Sequence, residues 1–245
     1  MPKSKLLIDG DLIVHKITAS LETPCEWHNN IWTIHTDVAE ALTAFKDYIY
    51  HIKEVCDGDE VVITFSDVAN FRKHIFPNYK GNRVGNRKPV GFKALQNMIE
   101  DSFDCVTMYN LEADDAMGIL QTDPSNKKNT IIVSEDKDMM TIPGTVYAKK
   151  SLKQISHIKA NRIWMAQTMC GDTADNYKGC PGVGIKTAEK ILGGLSDLNE
   201  MWGVVVETFL KKGLGFEDAL TSARLARILR YEDYNDKGEI KLWTP

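Results

Sequence analysis

Glu112, Asp114 and Asp115 put three carboxylates within four residues. The apolar segment Cys105–Met108 precedes them, and Ala116–Leu120 follows at helical spacing, so the acids stand where a strand hands over to a helix. An N-cap or the positive end of a helix dipole accounts for one or two of them. Three repel one another, and a divalent cation relieves that repulsion. Other acids follow other short apolar segments: Asp9 after Lys5–Ile8, with Asp11 as an uncertain addition, Asp67 after Val61–Phe65, and Asp136 and Asp138 after Thr130–Val133. Asp172 and Asp175 follow a helical segment at a spacing that shares one helical face. Each acid alone has an ordinary turn or cap reading; their coincidence points to metal. The donors are all oxygen, which suits Mg²⁺ or Mn²⁺ rather than zinc. Two such ions about 4 Å apart activate a water and stabilise the leaving oxygen of a phosphodiester.

Opposite charge is gathered elsewhere. From Arg72 to Lys93 there are seven Lys/Arg and no Asp/Glu. Beside the acids, Lys80 and Arg83 can neutralise a scissile phosphate, while Arg72, Lys73, Arg87 and Lys88 steer a strand; without them, the run is a solvated loop. A second phosphate-binding candidate is Pro181-Gly182-Val183-Gly184-Ile185-Lys186-Thr187-Ala188. Gly182 and Gly184 allow close backbone approach, the N–H groups from Gly184 to Thr187 open a helix, and Lys186 adds charge. The alternative is a plain helix–turn–helix connection. Arg224, Arg227 and Arg230 form a stripe that suits a solvated face better than a DNA contact.

The elements that must position these groups alternate strand and helix through about residue 150, which predicts an α/β fold: a mostly parallel central sheet with helices on both faces. Ligands of such sheets bind beyond the carboxyl ends of the strands, where the acids fall. Val146–Ala148 is the last expected strand, and the pattern beyond is helical. The expected domains are 1–158, an α/β core with a basic lid at about 70–100, and 159–245, a helical DNA-binding region with a glycine hairpin at 179–188. The chain has 245 residues and a net charge of −4, so segregation of charge says more than its sum. Five cysteines at irregular spacing, with no C-x-x-C, suggest neither a disulfide framework nor a zinc site. No stretch is long enough for a signal peptide or a membrane span, so a soluble, cytoplasmic protein is expected.

The ordered pieces LIDGD, FSDVANFRKHIFPNYKGNR, LEADDAMG, SEDKDM and GDTADNYKGCPGVGIKTA resemble the structure-specific 5′ nuclease (flap endonuclease) superfamily, nearest the 5′→3′ exonucleases of short-tailed bacteriophages. The resemblance covers residues 5 to about 195 well and the tail moderately. It implies a PIN-like nuclease core and a helix-hairpin-helix-type DNA-binding motif. It implies a two-metal phosphodiesterase of phage DNA replication, acting on duplex, nicked or flapped DNA and on RNA primers in RNA/DNA hybrids, in the cytoplasm of an infected host. In that family the positions of Asp9, Asp67, Glu112, Asp114, Asp115, Asp136, Asp138, Asp172 and Asp175 bind two Mg²⁺ ions, with Mn²⁺ as a substitute. Lys80 and Arg83 assist at the phosphate, and the glycine hairpin grips duplex DNA, often with a K⁺ ion. The segment from Pro77 to Asp101 is short for a flap-threading arch, which favours an open, exonucleolytic site.

Two rivals carry different chemistry. Asp9-Gly10-Asp11 after a strand mimics the nucleophile motif of haloacid-dehalogenase phosphatases, but that leaves the glycine hairpin and Asp172/Asp175 unexplained. A non-catalytic DNA-binding module leaves the acids without purpose. A PIN-type ribonuclease shares the acidic sheet edge but usually lacks the hairpin.

Overall fold

The computed structural model describes residues 3–126, 129–235 and 237–245. In chain order, β1 (Ser4–Asp9) enters α1 (Gly10–Ser20), then a hairpin of β2 (Thr23–Trp27) and β3 (Ile31–His35), α2 (Val38–Val55) and β4 (Gly58–Phe65). Next come α3 (Arg72–Ile75), α4 (Phe92–Glu100), β5 (Cys105–Thr107), α5 (Ala113–Thr122), β6 (Thr130–Val133), β7 (Gly144–Ala148) and β8 (Ser151–Ile155). The remainder is α6 (His157–Cys170), a ribbon of β9 (Gly171–Asp172) and β10 (Tyr177–Lys178), α7 (Ile185–Ile191), α8 (Leu198–Lys211) and α9 (Phe216–Ala226).

The six-stranded sheet has the order β5-β4-β1-β6-β7-β8, parallel except for the last strand. Leu6 and Ile8 face α1, α2 and α4, packing with Val14, Phe45 and Leu95; Leu7 faces α5 and α6, packing with Met117 and Ala160. Both faces are therefore covered, as a parallel sheet requires. Among the described residues no helix is long and apolar enough to cross a membrane.

Two close approaches explain how the strand exits are held. A Cβ on Gly10 would lie 2.6 Å from the Phe65 ring and 2.7 Å from the Thr64 carbonyl. Only glycine lets α1 start that close to β4, which leaves Asp9 as its N-cap, accepting from the Leu12 N–H at 3.0 Å. A Cβ on Gly118 would meet the Leu229 carbonyl at 2.3 Å, so the end of the chain runs hard against α5.

Three expectations are corrected. Residues 151–155 form an antiparallel edge strand rather than the start of the helical region. Its turn is Lys149-Lys150, both at positive φ (52° and 59°), the conformation a two-residue hairpin requires, yet without the Asn-Gly signal that would announce it. Asp172 and Asp175 lie in the β9–β10 ribbon and its turn, not on a helix. The arginine stripe is internal: Arg227 and Arg230 are buried, and Arg224 bonds the Trp243 carbonyl at 3.0 Å. That contact seats the tail, and Trp243 packs edge-on against Trp164 and Trp202 in the helical core.

Candidate metal and phosphate site

The carboxyl ends of the parallel strands and the β9–β10 turn surround one cavity of about 910 Å³. Asp9, Asp67, Glu112, Asp114, Asp136, Asp138, Asp172 and Asp175 all line it, as does Asp11. Several are placed by short backbone bonds. Asp67 accepts the Asn110 N–H at 2.7 Å, Asp136 accepts the Asp138 N–H at 2.8 Å, and Asp11 accepts the Ser66 N–H at 2.8 Å. The Ser134 hydroxyl donates to Asp9 Oδ2 at 2.8 Å. An Asp9 tied at both oxygens is poorly freed for nucleophilic attack, against the phosphatase rival.

Charge crowding is severe. Burial above all, with Asp11 and Asp136 adding, pushes the Asp9 carboxyl up to about 6. Burial and then Asp136 push Asp138 to about 6 as well. Asp114 is raised well above its ordinary value, by burial and then by Asp9, Asp136 and Glu112. Glu112 is also buried, but Arg72 and Lys80 outweigh that and hold it below its ordinary value. Asp172 is lowered in the same way: Lys137 overcomes its burial.

Among the described residues no three acids close into a finished ion cage; side-chain donors hold them instead. Lys80 bonds Glu112 and lies 3.7 Å from Asp175. Arg83 bonds Asp175 at 2.6 Å, Lys137 bonds Asp172 at 3.1 Å, and Gln167 bonds Asp138. An oxygen-only donor set whose members raise one another's proton affinity fits hard divalent cations.

The basic segment splits. Residues 78–83 are docked on the β9–β10 turn: Lys80 donates its N–H to the Asp175 carbonyl at 2.9 Å, Asn82 bonds the Thr173 carbonyl at 2.9 Å, and Arg83 bonds that of Ala174 at 3.1 Å. Lys80, Arg83 and Lys88 line the cavity; Lys73 is exposed outside it. Arg87 forks onto Glu22 at 2.5 and 3.0 Å, which latches the segment to the end of α1. Gly182 and Gly184 lie on an exposed turn, with Gly182 at φ +75° and Gly184 as N-cap of α7, whose first turn carries the exposed Lys186 and Thr187; none lines the cavity.

Two assignments are corrected. Arg72 is buried, so it cannot steer a strand. Asp115 is buried with it and absent from the cavity wall. Arg72 donates to both Asp115 oxygens at 2.7 Å and to the carbonyls of Leu225 (3.1 Å) and Arg227 (2.7 Å). Asp115 also accepts the N–H groups of Glu112 and Leu229. Its lone pairs are spent on protein, leaving none for an ion. Sequence reasoning missed Tyr79, whose buried hydroxyl sits 3.0 Å from Glu112 and 2.8 Å from Asp175. Its one signal was adjacency to Lys80. Ser134, Lys137 and Gln167 were missed too.

Residues 4–169 match the family described as the 5′-3′ exonuclease N-terminal resolvase-like domain. The chain is 32% identical to the exodeoxyribonuclease of Enterobacteria phage T3, covering 99% of this chain and 93% of that one. It is 32% identical to the exonuclease of Escherichia phage T7, covering 99% and 94%. A crystal structure of the bacteriophage T5 flap endonuclease, a pseudo-enzyme–product complex with DNA and metal ions, superposes with a TM-score of 0.63 at 15% identity, covering 91% of this chain and 90% of that one.

Proposed function

This chain belongs to the 5′-3′ exonuclease family, and from that premise we propose a divalent-metal-dependent 5′→3′ exonuclease and flap endonuclease acting on duplex, nicked or flapped DNA and on RNA/DNA hybrids. One observation carries the reading: eight acids from distant parts of the chain line one cavity together with Lys80 and Arg83. Support for DNA and metal also comes from the T5 flap endonuclease of the same fold, crystallised with both.

Asp9, Asp67, Glu112, Asp114, Asp136, Asp138, Asp172 and Asp175 would hold two Mg²⁺ ions. When bound, they supply Lewis acidity that lowers the pKa of an attacking water and offsets charge on the leaving oxygen. The protein's own part is orientation and charge. Ser134 fixes Asp9, Gln167 fixes Asp138, and Tyr79 spans Glu112 and Asp175. Lys80 and Arg83, held on the ribbon turn, offer donors to the scissile phosphate. The α/β part, 1–158, carries most of this chemistry, with Gln167, Asp172 and Asp175 added from the part 159 to 245; that second part grips duplex DNA through the turn at 179–188, where exposed N–H groups and Lys186 meet phosphates.

The test is a panel of 5′-labelled duplex, nicked, flapped and RNA/DNA substrates, with and without Mg²⁺, scored by product length. Mg²⁺-dependent release of short products from 5′ ends is expected. Cleavage unaffected by chelator, or none on any substrate, sinks the reading.

Metal binding should also show its own pH signature. Asp9 and Asp138 titrate near 6 in the folded chain against an ordinary 3.8. Their contribution to stability is therefore full below about pH 4 and is lost as pH rises through about 6. Glu112 and Asp172, being lowered, act with the opposite sign but below their ordinary values of 4.5 and 3.8. Because ions need ionised ligands, the gain in Tm from Mg²⁺ should be small near about pH 5 and largest above about pH 7. Melting curves across that range decide it; a gain independent of pH would move the ion away from these acids.

A further inference from the structure

A second cavity, of about 320 Å³, opens between α1 and α2 at the ends of β6 and β7. We infer that it is a binding site for a nucleoside 5′-monophosphate, separate from the catalytic cavity and coupled to it through Ser134. Its volume lies in the range of small-ligand pockets, about 300–1,000 Å³.

The lining is largely apolar and aromatic, with Ile13, Ile17, Ala44, Ile52, Tyr48 and Tyr147. Neither tyrosine hydroxyl has a hydrogen-bond partner among the described residues, so both remain available to a ligand. The rim carries Lys16, His51 and Lys150, none ion-paired with another described residue, against one acid, Glu135. Glu135 already accepts the Lys149 N–H at 3.1 Å. An apolar slot with aromatic sides suits a flat base, and unpaired cations at its mouth suit a phosphate. An inorganic anion alone would leave the slot unused, and a neutral nucleoside would leave the rim unused.

Ser134 connects the two cavities. It lines this one, and its hydroxyl donates to Asp9 Oδ2 while accepting the Asp136 N–H at 3.1 Å. Tyr48 also senses that wall: burial first, and then the negative charge of Asp9 and Glu135, raise its hydroxyl. A ligand pressing on Val133–Glu135 therefore bears on the seating of two catalytic acids, and the coupling is reciprocal. The choice of a nucleotide rests on the proposed function, whose products are such molecules; the slot and its charges do not depend on it.

The experiment is calorimetric titration of the full-length chain, without divalent metal, with dAMP, deoxyadenosine and inorganic phosphate in turn. Saturable dAMP binding is expected, with the other two weaker by at least about tenfold. Ala44→Phe fills the slot from a half-buried helix position, and Lys16→Glu and Lys150→Glu reverse the rim. Each should weaken dAMP by about tenfold or more, and the two rim variants should leave nuclease turnover without nucleotide unchanged. Saturating dAMP should change turnover in the wild type and not in Ala44→Phe. No binding to the wild type, phosphate binding as tightly as dAMP, or affinity unchanged in all three variants overturns the site; unchanged wild-type turnover overturns the coupling. Slot-dependent dAMP binding by a chain that cuts nothing would overturn the proposed function and keep the site.

Discussion

Asp138→Asn should lower turnover by about a thousandfold or more while duplex affinity in a gel shift stays within about threefold of wild type. The side chain lines the catalytic cavity, where its charge would hold an ion, and it is remote in sequence from the exposed turn assigned to duplex binding. The amide keeps the size of the carboxylate and an oxygen for Gln167 to reach. The variant should also be no less stable than wild type when metal-free. Burial holds Asp138 near 6, so ionisation at pH 7 disfavours the fold, by at most about 3 kcal/mol. The Tm gain from Mg²⁺ should shrink in parallel. Near-normal turnover would remove Asp138 from the ion site.

Asp115→Ala should fail differently, by losing about 3–5 kcal/mol of stability. The deletion strands the Arg72 guanidinium in a fully buried position and leaves the N–H groups of Glu112 and Leu229 without their acceptor. For a chain of this size that is a fall in Tm of roughly 10 °C. Arg72→Met should cost a comparable amount, because it leaves the Asp115 carboxylate buried without its partner. The pair Arg72→Met with Asp115→Ala should be less destabilised than the sum of its parts, since it removes both charges. Urea denaturation of the four proteins closes the cycle. An Asp115→Ala protein of wild-type stability but without activity would return Asp115 to the metal set.

These outcomes separate what the sequence could and could not reveal. Acids at strand exits were readable because each follows a local apolar run, and parallel sheets put all such exits on one edge. Asp114 and Asp115 are neighbours of the same type, yet one faces the cavity and the other faces Arg72. That difference depends on partners at Leu225, Arg227 and Leu229, more than a hundred residues away, and no periodicity encodes it. Tyr79, Gln167 and Ser134 were hidden for the same reason: each is defined by the acid it touches. The arginines at 224, 227 and 230 looked like a surface stripe, but the helix that carries Arg224 ends at Ala226 and Arg227 and Arg230 follow in extended backbone, so the regular spacing crosses a change of period and carried no information about facing. Strand β8 was lost because a Lys-Lys turn holds an uncommon backbone conformation without a residue type that prefers it.

The dependence of Arg72 and Asp115 on residues 225–229 has a consequence for biosynthesis. Until residues 225–229 leave the ribosome, the Arg72–Asp115 pair lacks two of its acceptors and one of its donors, beside the helix start that carries Glu112 and Asp114. The scissors are thus assembled only after residue 229 has been made, and a polypeptide truncated before Leu225 is expected to emerge blunt.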